Sequence, residues 1–130
     1  MKKPKVNVTI TKEESGYSAC AVIGDDFIGT QGDTYDELKT NILEAINLSF
    51  NDGGITISDE DIRYTLDLPS FFRFYKVLNA KALSERIGMN QSLLAQYITG
   101  KKKPSPAQTE RILKGVQQIG KELAEIRFLM

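Results

Sequence analysis

The period at which apolar residues recur changes along this chain, and that change constrains the fold more than any other feature. Val6, Val8 and Ile10 alternate with Asn7, Thr9 and Thr11, the period-two pattern of a strand with one buried face. Glu13-Glu14-Ser15-Gly16 reads as a turn, after which Tyr17, Ala19, Ala21 and Ile23 alternate with Ser18, Cys20 and Val22. Gly24-Asp25-Asp26 marks a second turn, and a short third strand covers Phe27 to about Thr30. These segments predict an antiparallel meander.

The period then lengthens. Thr34 and Glu37 have the T-x-x-E spacing of a capping box. Leu38, Ile42, Leu43, Ile46 and Phe50 follow at helical spacing, and Asn51-Asp52-Gly53-Gly54 is expected to end that helix. Between about Asp61 and Leu68, Ile62, Tyr64, Leu66 and Leu68 alternate again, predicting a fourth strand. The order β-β-β-α-β encloses a modest core, which fits pairing with another chain.

From Pro69 the pattern is helical throughout. A first helix from Pro69-Ser70 carries Phe71, Phe72, Phe74, Tyr75 and Leu78 as an apolar anchor. A second runs from Ala80 to Ile87 with Asn79 as its cap, and Gly88-Met89-Asn90 breaks it. A third, capped by Asn90, runs from Gln91 to about Thr99 and ends at Gly100-Lys101-Lys102-Lys103-Pro104. Ser105-Pro106 opens a fourth: proline suits the first helical position, and Ser105 and Gln108 have capping-box spacing. The class is α+β, with a mixed domain at residues 1–68 and an all-α domain at 69–130.

Charge divides at the same place. The 130 residues have no net charge, but residues 1–68 hold 6 Lys+Arg against 13 Asp+Glu, a net of −7. Residues 69–130 hold 11 against 4, a net of +7. Two modules with different partners follow from that asymmetry, and the basic one suits a polyanion such as DNA.

Cys20 is the one cysteine, so no intrachain disulfide forms and a reducing cytoplasm fits. Its place in an apolar alternating run predicts a buried structural thiol. The absence of histidine excludes His-based metal sites and Ser-His or Cys-His catalysis. The basic start Met1-Lys2-Lys3-Pro4 has no apolar region after it, and no run approaches the ~18 apolar residues of a membrane span. Ribonuclease H-type chemistry needs carboxylates converging on a metal. The first strand has none, and Asp25, Asp26, Asp33, Asp36, Asp59, Glu60 and Asp61 fall on loops or a helix start. Neither catalysis nor a cofactor is expected. These acids are either a solvated face or, for Asp25, Asp26, Asp33 and Asp36, a face for a basic partner.

The Gly16-Tyr17 hairpin, the run Gly29-Thr30-Gln31-Gly32-Asp33-Thr34 and the amphipathic helix with its acidic start together resemble the HicB family of antitoxins across Val6 to Phe50. The family pattern is close to G-C-x-T-Q-G-D-T, and this chain has one residue fewer after the first glycine. Physically the glycines permit a tight loop and Asp33 or Thr34 caps the helix, so the motif is mainly structural. The resemblance implies a partial ribonuclease H-like fold and a partner, HicA, a small basic ribonuclease toxin that the antitoxin blocks by covering its active site.

A second resemblance covers Leu83 to Ser105. Leu83-Ser84, Gly88, Met89, Leu94, Tyr97 and Gly100 stand at the spacings of lambda-repressor-like (XRE) helix-turn-helix domains, followed by Lys101-Lys102-Lys103-Pro104-Ser105. Small Ser84 lets two helices cross tightly, and Gly88 supplies a turn geometry that larger residues resist. Ile98 departs from the class, which often has Glu there. The resemblance implies that the third helix enters the major groove, with Asn90, Gln91, Ser92, Ala95 and Gln96 on the DNA side. Gln91 and Gln96 can each pair with adenine, and Lys101, Lys102 and Lys103 fit phosphate contacts.

On the last helix Ile112, Val116, Ile119, Leu123 and Ile126 are spaced 4, 3, 4, 3, a heptad-like seam. The stripe either packs on its own domain or pairs two chains, although Gly115 and Gly120 weaken a long isolated coil. The expected protein is an antitoxin that sequesters a HicA-like toxin and, as a dimer or higher assembly, represses its own operon. The alternative is a solitary regulator with no toxin.

Overall fold

The computed structural model describes residues 5–50 and 53–130. The basic Met1–Pro4 start and the Asn51-Asp52 pair expected to end the first helix lie outside the described residues. The fold is mixed α+β, with a four-stranded sheet and five α-helices among the described residues. It divides into two compact units, Met1–Ser70 and Phe71–Met130.

In the first unit β1 (Val6–Lys12), β2 (Tyr17–Ile23) and β3 (Asp26–Gly32) form the antiparallel meander. Helix α1 (Tyr35–Ser49) follows, and β4 (Ile62–Thr65) returns parallel to β1, giving the order β3-β2-β1-β4. Alternation does what it must in a sheet with one covered face. Val6, Val8, Ile10, Tyr17, Ala19, Ala21 and Ile62 are buried with Leu38, Ile42 and Ile46 of α1. Each large side chain so buried stabilises by roughly 1.5–3 kcal/mol. Asn7, Thr9, Thr11, Val22 and Phe27 are exposed. Cys20 alternates onto that same outer face of the sheet. It is half-buried between Thr9 and Gly29, so the expected buried thiol is corrected. Its neighbours Ala19 and Ala21 take the core positions, and a strand sends successive side chains to opposite faces.

Thr34 caps α1, its Oγ1 accepting the Glu37 amide at 3.2 Å. The connection to β4 is tied back to α1 by Asn47, whose side chain donates to the Ile57 carbonyl at 2.9 Å and accepts its amide at 2.7 Å. The glycines of the Gly29–Thr34 run play different parts from the tight-loop role expected. Gly29 lies within β3, inside the strand expected from Phe27 to about Thr30, and β3 runs on past that expected end to Gly32. Gly32 ends β3 with a backbone angle open to any residue; its need is space, because a Cβ there would lie 2.8 Å from the Leu38 nitrogen.

β4 stops at Thr65, three residues short of the expected end. Asp67 is the cause: its Oδ1 accepts the Ser70 amide at 2.7 Å and opens α2 (Leu68–Phe74). Leu68 is therefore helical, and Pro69 sits in the first turn, where a missing amide costs nothing. Leu78 lies past the end of α2.

In the second unit α3 (Ala80–Ile87), α4 (Gln91–Thr99) and α5 (Pro106–Glu125) follow. Each begins on its expected cap: Asn79 Oδ1 accepts the Ala82 amide, Asn90 Oδ1 the Leu93 amide, and Ser105 Oγ the Gln108 amide. α3 packs against both α4 and α5. Leu83, Ser84, Met89, Leu94, Tyr97 and Ile112 are buried.

Candidate functional site

The exposed face of α4 gathers most of the residues expected to meet DNA. The helix has one inward stripe, Leu94 and Tyr97, and on the opposite side Gln91, Ser92 and Ala95 face solvent. Gln96 is half-buried, whereas Gln91 is exposed. Asn90 is occupied as a cap, its side-chain oxygen 3.1 Å from the Leu93 amide.

Two glycines bound this helix, and both require left-handed backbone. Gly88 (φ +67°) ends α3 and Gly100 (φ +83°) ends α4. At Gly88 the chain makes a Schellman turn: the Met89 amide donates to the Ser84 carbonyl at 2.9 Å and the Gly88 amide to that of Glu85 at 3.2 Å. Met89 is buried, so the turn is pinned from below. At the far end, the Lys102 amide donates to the Gln96 carbonyl at 3.2 Å. That bond draws the Lys101–Lys103 loop back against α4. All three lysines are exposed, and three cations near a helix C-terminus complement its partial negative charge.

Residues from outside this stretch complete the arrangement, and local sequence patterns gave no sign of them. Arg111 of α5 reaches across to the α3–α4 turn, its Nε donating to the Ile87 carbonyl at 3.1 Å and its Nη2 to the Gly88 carbonyl at 2.7 Å. Arg86 of α3 pairs with Glu122 of α5. That hydrogen bond, with a lesser one from Gln118, holds the Glu122 carboxyl below the usual carboxylate range. Their sequence separations of 24, 23 and 36 explain why periodicity could not reveal them.

The expected dimer seam divides. Ile112 is 1% exposed and belongs to the core of its own unit, and Val116 and Ile119 are half-buried. Leu123 is 61% exposed. Ile126 lies beyond the helix, in extended backbone, so it does not continue the seam.

The acidic residues of the first unit do not form one cluster. Asp25 and Asp26 lie at the β2–β3 turn, whereas Asp33 and Asp36 lie where β3 passes into α1. The seven-residue length of β3 separates the two pairs, roughly 20 Å at ~3.3 Å per residue. Asp59 is engaged elsewhere: Tyr64 donates to it at 2.7 Å and Lys39 pairs with it at 3.3 Å. The tyrosine hydrogen bond, followed by the lysine charge, holds the Asp59 carboxyl below its ordinary value. Lys39 also lies over the rings of Tyr35 and Tyr64, at 5.2 and 5.3 Å. Among the described residues no group of three or more acids or thiols is placed to hold a metal ion, and no helix is long and apolar enough to cross a membrane.

No family model, no curated protein and no solved structure matches the chain.

Proposed function

We propose that the protein is a cytoplasmic antitoxin of the HicB kind, in which residues 69–130 are a helix-turn-helix domain that binds duplex DNA. Residues 1–68 are the partial ribonuclease H-like domain, and they sequester a small basic ribonuclease toxin of the HicA kind. The chain works as a dimer or higher assembly and represses the operon encoding both proteins. It has no catalytic role of its own.

The observation that supports this reading best is the face of α4. Exposed Gln91, Ser92 and Ala95 stand opposite buried Leu94 and Tyr97, with three exposed lysines in a loop whose Lys102 amide bonds to the same helix. Amides and small side chains suit base edges, and the flanking cations suit phosphates. The opposite charges of the two halves favour two different partners.

Two measurements test it. The chain is co-expressed with a small basic ribonuclease toxin of the HicA kind and pulled down; a stable complex and relief of toxicity are expected. Binding of the purified chain to its own upstream duplex is followed by anisotropy at several salt concentrations. Binding without a complex would leave a solitary regulator; neither would remove the proposal.

A further inference from the structure

We propose that Arg111 is a positioning residue: from α5 it fixes the angle at which the α3–α4 turn presents the duplex-contacting face of α4. The functional part of this inference rests on the DNA-binding reading above; the geometric part does not.

A helix leaves its last carbonyls without intrahelical donors. At the end of α3 the Schellman turn satisfies those of Ser84 and Glu85. The Ile87 and Gly88 carbonyls, at the start of the turn, take their donors from the Arg111 fork. The two bonds share one rigid planar group, so they fix the direction of the turn as well as its position. Space there is tight, since a Cβ on Gly88 would come within 3.3 Å of Arg111 Nη2. Other contacts also join α5 to α3, among them Gly115 against Ile87 and Arg86 with Glu122. Those hold the two helices together. Arg111 is the one of these contacts that reaches the turn, two residues before the Asn90 cap of α4. The side chain is exposed, so it contributes little apolar burial.

The test compares Arg111→Ala and Arg111→Lys in the full chain. Lysine keeps the charge but cannot span both carbonyls in a planar fork. Amide hydrogen exchange is read at Met89, Leu93 and Leu94, whose amides bond within the turn and the first turn of α4. Both variants are expected to exchange at least tenfold faster there, with Ile112 and the sheet unchanged. Discrimination between a duplex selected by the wild-type chain and a scrambled duplex is expected to fall at least fivefold in both variants. The salt slope of the lysine variant should stay at the wild-type value. Full recovery by lysine would make Arg111 a phosphate contact and overturn the proposal. Faster exchange spread evenly over the second unit would make it a general stabiliser and overturn it too. If the wild-type chain binds no duplex, the DNA reading fails, and the exchange pattern alone still decides whether Arg111 positions α4.

Discussion

Gly115 of α5 lies so close to Ile87 of α3 that a Cβ at position 115 would stand 2.4 Å from Ile87 Cγ2. The glycine is a packing requirement between two helices, and it makes the helix-weakening residue useful. Gly115→Ala should therefore destabilise the second unit by about 1–3 kcal/mol through overpacking. Gly120, five residues on in the same helix, has nothing within 4 Å of its would-be Cβ. Gly120→Ala should stabilise by about 0.5–1 kcal/mol through helix propensity. Urea denaturation of the two variants checks both, and equal effects would contradict the packing account.

Gly16 and Gly32 support each other in the first unit. A Cβ on Gly16 would lie 2.7 Å from the Gly32 carbonyl oxygen, and Gly16 also has a φ of +75°. A Cβ on Gly32 would meet the backbone nitrogen and Cα of Leu38 at 2.8 and 2.9 Å. The obstacles are backbone atoms, which do not move aside as a flexible side chain does. Alanine at either position should cost more than about 1 kcal/mol, measured as a drop in the thermal midpoint. Gly24, with open space around its would-be Cβ, controls for backbone conformation alone.

Tyr64→Phe removes the hydroxyl that donates to Asp59. Asp59 has its pKa lowered in the folded state, first by that hydrogen bond and then by Lys39. A lowered carboxyl contributes stability above its unfolded pKa and loses it as pH falls through the folded value. The wild-type chain should therefore lose this contribution below about pH 4. The phenylalanine variant should differ from wild type at neutral pH and converge with it in acid. The pair is largely solvent-exposed, so the difference stays within about 1 kcal/mol. Denaturation at several pH values measures it; a gap that widens in acid would reverse the assignment.

Local patterns made much of this fold legible in the sequence. Alternation in β1 and β2 chose the buried face, and Thr34, Asn79, Asn90 and Ser105 each stand where a helix begins. What failed was competition between local signals. Leu66 and Leu68 continue an alternating pattern, but Asp67 caps α2 and ends the strand's claim on them. The third strand is expected to stop near Thr30 because Gly32 and Asp33 are turn residues, yet pairing of Ser18 and Tyr17 with Gln31 and Gly32 carries β3 on to Gly32. Contacts such as Arg111 with the α3–α4 turn depend on a meeting of distant segments, which no local period encodes. The same limit hid the split of the four acidic residues between opposite ends of β3.

On the proposed DNA-binding reading, the lysine loop and the exposed α4 face should separate in their effects on DNA. Lys101, Lys102 and Lys103 are exposed, and the loop is tied to α4 through a backbone bond from Lys102. Replacing all three with alanine therefore leaves that tether in place. For every phosphate that a lysine no longer neutralises, the slope of log K against log salt should shrink in magnitude by about 0.9. Affinity should fall for every sequence alike, because phosphates carry no base information. Gln91 is different: it is exposed on the first turn of α4, and its amide offers a donor and an acceptor together. Gln91→Ala should keep the salt slope and lose ~1–3 kcal/mol of discrimination between selected and scrambled duplexes. Gln108 is on α5 and its backbone amide donates to Ser105 Oγ, so Gln108→Ala keeps that bond and serves as a glutamine control away from α4 itself. Anisotropy titrations on the two duplexes over a range of salt would resolve both effects. A triple-lysine variant that altered discrimination while its slope stayed constant would place base reading in the loop instead of the helix.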